Sequence, residues 1–284
     1  DALQLVYSST KGATALCAHV LVERGELDVD APVTEYWPEF KAHGKGEAPV
    51  RWLLSHQLGL PDVDRPLTYE DALAWDPVVE ALADSVPLWE PGTQHGYHAV
   101  TFGWLVGELV RRISGRSLGT YFADEIAGPL GLDFWIGLPP EQHHRVVPII
   151  PMRLPGGIEL PPGMEYGMIE LLQMLMGNDS LIARALSAPG GAFSKDHIWN
   201  EPDLWRAELG AAGGITNARS LARMYAATVG EVDGIRLLSP ETLAQAIEPQ
   251  TSGPDAVLMF DIPFGLGFMR DAQFSKFGSP TAFG

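Results

Sequence analysis

A serine and a lysine lie three positions apart in Ser8-Ser9-Thr10-Lys11, at the head of an apolar segment. At a helix start that spacing puts both side chains on one face, with Ser8 at the positive end of the helix dipole. A lysine held there in apolar surroundings loses its proton near neutral pH and becomes a base for the serine hydroxyl. The same residues also make an ordinary N-cap with a solvent-facing lysine, and the pair alone does not choose between the two. Tyr97, in Gly96-Tyr97-His98-Ala99, is a second candidate proton carrier, although a packed tyrosine with a wet hydroxyl is the commoner arrangement. His95 and His98 are three apart and His143-His144 are adjacent, but no HExxH and no dense His/Asp cluster accompanies them, so a metal centre is not expected. A GxSxG nucleophile elbow is not expected either, and GxGxxG and P-loop patterns are absent. His56 is read as ordering the loop that follows it.

The elements that position these residues are mostly helical. Residues 8–24 are apolar enough for a buried helix, with Gly25 where it stops. Residues 102, 105, 106, 109, 110 and 113 are apolar at helical spacing, which predicts an amphipathic helix over 101–113. Further helices are expected at 50–58, 71–86 (interrupted at Pro77), 118–126, 169–176, 220–229 and 240–247. Strand signals are scarce: 257–270 is the best and 145–150 a weaker one. The Pro- and Gly-rich stretch 139–163 is expected to be a surface excursion or lid.

Composition excludes several classes. The chain has 284 residues, 46% of them hydrophobic and 19% charged, so it can bury a full core. Its formal net charge of −17 repels phosphate backbones and anionic lipid, so no nucleic-acid partner is expected. No apolar run approaches the roughly 20 residues needed to span a bilayer, so no membrane insertion is expected. The single Cys17 cannot form an internal disulfide, and a cytoplasmic location is expected on that ground.

In their order, these pieces resemble the serine β-lactamase-like hydrolases: class C β-lactamases, DD-peptidases and, most of all, family VIII carboxylesterases. Ser8-Ser9-Thr10-Lys11 matches the S-x-x-K motif. Leu53-Leu54-Ser55-His56-Gln57-Leu58-Gly59-Leu60-Pro61 is similar to LLxHxSGLP, with Leu58 where Ser is usual. Trp89-Glu90-Pro91-Gly92 resembles the turn before the family tyrosine, here Tyr97. Ile113-Ser114-Gly115-Arg116-Ser117 with Ile126-Ala127-Gly128-Pro129-Leu130-Gly131-Leu132, and Ala212 to Ala222, resemble two later blocks.

The resemblance implies an α+β fold, an antiparallel sheet flanked by helices, with residues 1–25 and 232–284 in the α/β domain and 26–231 in a mainly helical domain. It also implies that the sequence is truncated at both ends, with most sheet strands and the third catalytic motif lying outside it. The implied chemistry is ester hydrolysis through an acyl-enzyme on Ser8, with Lys11 and Tyr97 as general base and acid and no cofactor or metal. His98 and Ala99 are the expected substrate contacts. Family peptidases and β-lactamases place Asn where this chain has Ala99, which favours a small-molecule ester over an acylamido substrate. A β-lactamase or DD-peptidase on the same site, and a non-catalytic binding module of the same fold, are the alternatives. Oligomeric state is left open.

Overall fold

The computed structural model describes residues 2–150, 168–272, 276–279 and 281–284. Strand β1 (Gln4–Leu5) runs through a 3-10 turn (Tyr7–Ser9) into helix α1 (Thr10–Glu23). Every residue of α1 from Thr10 to Leu21 is buried. A helix covered on all sides belongs in a core, and α1 packs on α5 (Phe102–Ser114), α6 (Leu118–Phe122) and α12 (Pro240–Ile247). The helices between and after them are α2 (Val50–Leu54), α3 (Tyr69–Leu73), α4 (Asp76–Asp84), α7 (Gly128–Leu130), α8 (Met168–Met176), α9 (Leu181–Ser187), α10 (Pro202–Arg206) and α11 (Ala218–Val229).

Three short strands form one antiparallel sheet in the order β1-β3-β2, with β2 at Phe134–Ile136 and β3 at Gly214–Thr216. Leu5 pairs with Ile215, and Ile215 with Trp135. The sheet matters because the nucleophile turn grows directly from it. Val6 N–H donates to the Gly214 carbonyl at 2.9 Å, and Gly214 N–H donates to Thr10 Oγ1 at 2.9 Å. Thr10 Oγ1 in turn donates to the Tyr7 carbonyl at 2.5 Å. These bonds hold Tyr7 at φ 44, a left-handed conformation costly for a residue with a Cβ and often found at functional turns.

Most expected helices are present, with two corrections to their description. Pro77 does not interrupt a helix. It sits in the first turn of α4, where a missing N–H costs nothing, while α3 ahead of it is started by a Thr68–Asp71 capping box and ends at Leu73. The expected strand over 257–270 is a looped strap with isolated bridges only, Pro254 to Asp261, Phe264 to Met269 and Arg270 to Phe283. It turns at Met259 (φ 63) and Gly267 (φ 87). At Gly267 the N–H donates to the Leu54 carbonyl at 2.8 Å, and a Cβ would meet Ala15 Cβ at 2.3 Å. The apolar side chains there serve packing on α1 and on the Tyr97 loop, not a ladder. The weaker strand candidate keeps one bridge, Leu3 to Val146. Of the expected excursion, 140–145 is a 3-10 turn and 151–163 lies outside the described residues.

Gly103 lets α5 approach the segment that ends at β3. A Cβ there would sit 2.5 Å from the Ala211 backbone nitrogen. Because the obstacle is backbone, Gly103→Ala is expected to cost about 1–3 kcal/mol, read by urea denaturation, and to lower activity by moving the Ala211 carbonyl. Unchanged stability would remove this close approach as a constraint.

Candidate active site

Ser8 is exposed at the mouth of a cavity of about 410 Å³ that Lys11, Tyr97, His56, Tyr225 and Phe264 also line. Lys11 is 6% exposed, and its Nζ lies 3.2 Å from Ser8 Oγ, 2.6 Å from the Ala99 carbonyl and 3.1 Å from the Ala211 carbonyl. No ion pair to Lys11 is present among the described residues. Burial without a counter-charge lowers its pKa from 10.5 to about 7. An amine that has lost its proton keeps two N–H bonds and one lone pair. The two carbonyls take both N–H groups, which leaves the lone pair to accept the Ser8 hydroxyl proton. The geometry therefore suits a base as well as it suits an ammonium.

Tyr97 enters from the loop before α5. Burial pushes its pKa up to about 12, the larger effect, while the nearby Ser8 hydroxyl pulls it down. The phenol stays protonated at neutral pH and is suited to pass a proton on. Its ring lies 4.7 Å from Lys11 Nζ and stacks on Phe264 with centroids 6.1 Å apart.

The structure does not bring His98 to the cavity. His98 is 0% exposed, with Nδ1 donating to the Gly96 carbonyl at 2.7 Å and Nε2 accepting from Leu60 N–H at 2.9 Å. Its own N–H donates to His56 Nδ1 at 3.1 Å. Both ring nitrogens are spent on the backbone and tie the Tyr97 loop to the loop after α2, and His98 is not among the residues that line the cavity. Burial keeps His98 and His56 neutral, with His98 lowered to about 3 and His56 well below its ordinary value. Ala99 contributes its carbonyl to Lys11, and its methyl is buried. Among the described residues no three His, Cys, Asp or Glu side chains converge as a metal ion requires.

One further pattern in the sequence has to be weighed against the fold. Gly115-Arg116-Ser117-Leu118-Gly119 spells GxSxG, the signature of a nucleophile elbow. The fold around it is not an elbow. Gly115 caps the end of α5, and Ser117 caps the start of α6, its Oγ donating to Glu208 Oε1 at 2.8 Å, with no hydrogen bond to a histidine among the described residues. Tyr225 and Phe264 are not among the site residues the sequence singles out. They reach the cavity from distant segments and carry no local signal.

Helices packed on a short antiparallel sheet, with a serine and a buried lysine one turn apart after the first strand, define the β-lactamase-like fold class. The Beta-lactamase family matches residues 1–284, and the chain belongs to it. It is 37% identical over 273 residues to esterase/beta-lactamase LipL of Mycobacterium tuberculosis (strain ATCC 25618 / H37Rv), covering 94% of this chain and 61% of that protein. To esterase EstB of Burkholderia gladioli it is 30% identical over 184 residues, 57% of this chain and 46% of that protein. The chain thus spans about three fifths or less of the length of these two relatives. Among solved structures, EstA from Arthrobacter nitroguajacolicus Rue61a superposes with a TM-score of 0.84 at 33% identity, covering 100% of this chain and 73% of that one. A family VIII carboxylesterase gives a TM-score of 0.84 at 32% identity over 100% of this chain and 71% of that one. No helix among the described residues is long and apolar enough to cross a membrane.

Proposed function

We propose that the protein is a serine hydrolase that cleaves carboxylic esters of short to medium acyl chain through an acyl-enzyme on Ser8. The observation that carries this reading is the Lys11 amine, buried without a counter-ion, bonded to two carbonyls and within reach of Ser8 Oγ. Lys11 takes the Ser8 proton as Oγ attacks the ester carbonyl carbon, and a tetrahedral oxyanion forms. Collapse breaks the bond to the alkoxide, which takes the Tyr97 phenol proton while Lys11 passes to Tyr97 the proton it took from Ser8, leaving both as they began. Water then attacks the acyl-enzyme with Lys11 again as base, releasing the acid and restoring Ser8. The Ser8 N–H, in the 3-10 turn that leads into α1, serves as one oxyanion donor.

The names of LipL, EstB and the family VIII structure support the ester assignment. Ala99 supports it too, because a methyl offers no hydrogen bond to an acylamido group. The test is a comparison of p-nitrophenyl esters with a chromogenic cephalosporin on the full-length protein. Higher kcat/KM for the esters is expected. A faster cephalosporin reaction assigns the site to β-lactams instead, and turnover of neither, with no adduct on Ser8, removes the hydrolase reading in favour of a binding module.

Tyr97→Phe is expected to lower kcat by about 10²- to 10⁴-fold. Since Tyr97 serves the leaving group, the loss should be larger for alkyl esters than for p-nitrophenyl esters, whose leaving group needs no proton. Equal losses for both would move Tyr97 out of that role.

A further inference from the structure

The strap after α12 closes over the Tyr97 loop, and one carboxylate joins them. Asp255 is 1% exposed, and its Oδ1 accepts N–H bonds from Tyr97 at 3.1 Å, Val257 at 2.9 Å and Leu258 at 2.8 Å. The Ala256 N–H returns a bond to the His95 carbonyl at 2.9 Å. From the same strap Phe264 stacks on the Tyr97 ring and meets the His56 ring edge-on at 4.5 Å. Among the described residues Asp255 Oδ2 has no hydrogen-bond partner, and no ion pair to the carboxylate is present. A buried carboxylate without a cation is unfavourable unless something specific is gained from it. Here the gain is geometric: one oxygen gathers three backbone N–H groups from two segments and places the Tyr97 backbone at a fixed point above Ser8.

We infer that Asp255 is a positioning residue, which sets the reach of the Tyr97 hydroxyl to Ser8 by clamping the Tyr97 backbone to the 254–264 strap. The inference rests on Tyr97 acting as the proton carrier proposed above. Misplacement of such a group by about 1 Å is enough to cost on the order of 10²-fold in rate.

The experiment measures kcat and KM for an alkyl ester on the full-length protein and its variants. Asp255→Ala is expected to lower kcat about 10- to 100-fold with KM nearly unchanged. Asp255→Asn keeps an amide oxygen for the same three N–H groups and should restore kcat to within about fivefold of wild type. Since the effect runs through Tyr97, Asp255→Ala combined with Tyr97→Phe should be no slower than Tyr97→Phe alone. Losses that add in full, or an Asp255→Ala kcat within about twofold of wild type, overturn the inference. Should Asp255→Ala fail to fold, Asp255→Glu takes its place, since it displaces the oxygens by one methylene. The same loss in kcat is then expected, and a kcat within about twofold of wild type again overturns the inference. A wild-type protein that forms no Ser8 adduct defeats the hydrolase reading itself, whereas an active wild type with an unimpaired Asp255→Ala defeats only the role given to Asp255.

Discussion

Ser8→Ala is expected to abolish ester hydrolysis, with kcat/KM falling by about 10⁴-fold or more, while the protein stays folded. The expectation of a large kinetic effect with a small structural one follows from where Ser8 sits. It is exposed in the middle of the Tyr7–Ser9 turn, and the bonds that hold the turn belong to Val6, Thr10 and Gly214. Loss of an exposed hydroxyl should cost about 0.5 kcal/mol or less. The check is intact mass after treatment with a fluorophosphonate. A single adduct in wild type that is absent from Ser8→Ala, at equal thermal midpoints, is the expected pair of results. An adduct of undiminished yield in Ser8→Ala would place the nucleophile elsewhere, with Ser117 of the GxSxG pattern the next to replace.

Lys11 carries the second large effect, and it has a sign in pH. The base must be neutral to accept the Ser8 proton, so activity is full above the Lys11 pKa and falls as pH drops through it. With that pKa lowered to about 7 by burial, kcat/KM should decline about tenfold per pH unit on the acid side of pH about 7. A lysine at its ordinary 10.5 would put the same limb more than three decades higher, and such a profile would falsify Lys11 as the base. Lys11→Arg should be as inactive as Lys11→Ala, a loss of about 10³-fold or more, because guanidinium does not release its proton. Stability has the matching sign. The unfolded chain binds a proton at Lys11 that the folded one lacks between pH about 7 and 10.5, so the burial penalty shrinks as pH rises through that window.

Local chemistry is readable from residue order. Ser8 and Lys11 belong to one helical turn, so their spacing alone puts them on one face. The helices α5 and α12 show as periodicity and caps, and the ordered blocks place Tyr97 in the same chemistry. The strands are not readable, because two- and three-residue segments carry no period and their pairing joins residues far apart in the chain. The strap at 257–270 misleads because apolar packing on the Tyr97 loop looks like a strand when only alternation is considered.

What tertiary structure alone decided is the character of Lys11. Its two carbonyl acceptors come from positions 88 and 200 residues away, and backbone carbonyls have no side-chain signature in a sequence. The family resemblance implies that His98 meets the substrate, yet its hydrogen bonds to Gly96 and Leu60 turn it inward. Asp255 meets the Tyr97 N–H across 158 residues. Sequence determines which groups one turn of helix presents together. Desolvation and the bonds that aim those groups depend on every segment that closes over them, and that exists only once the chain has folded.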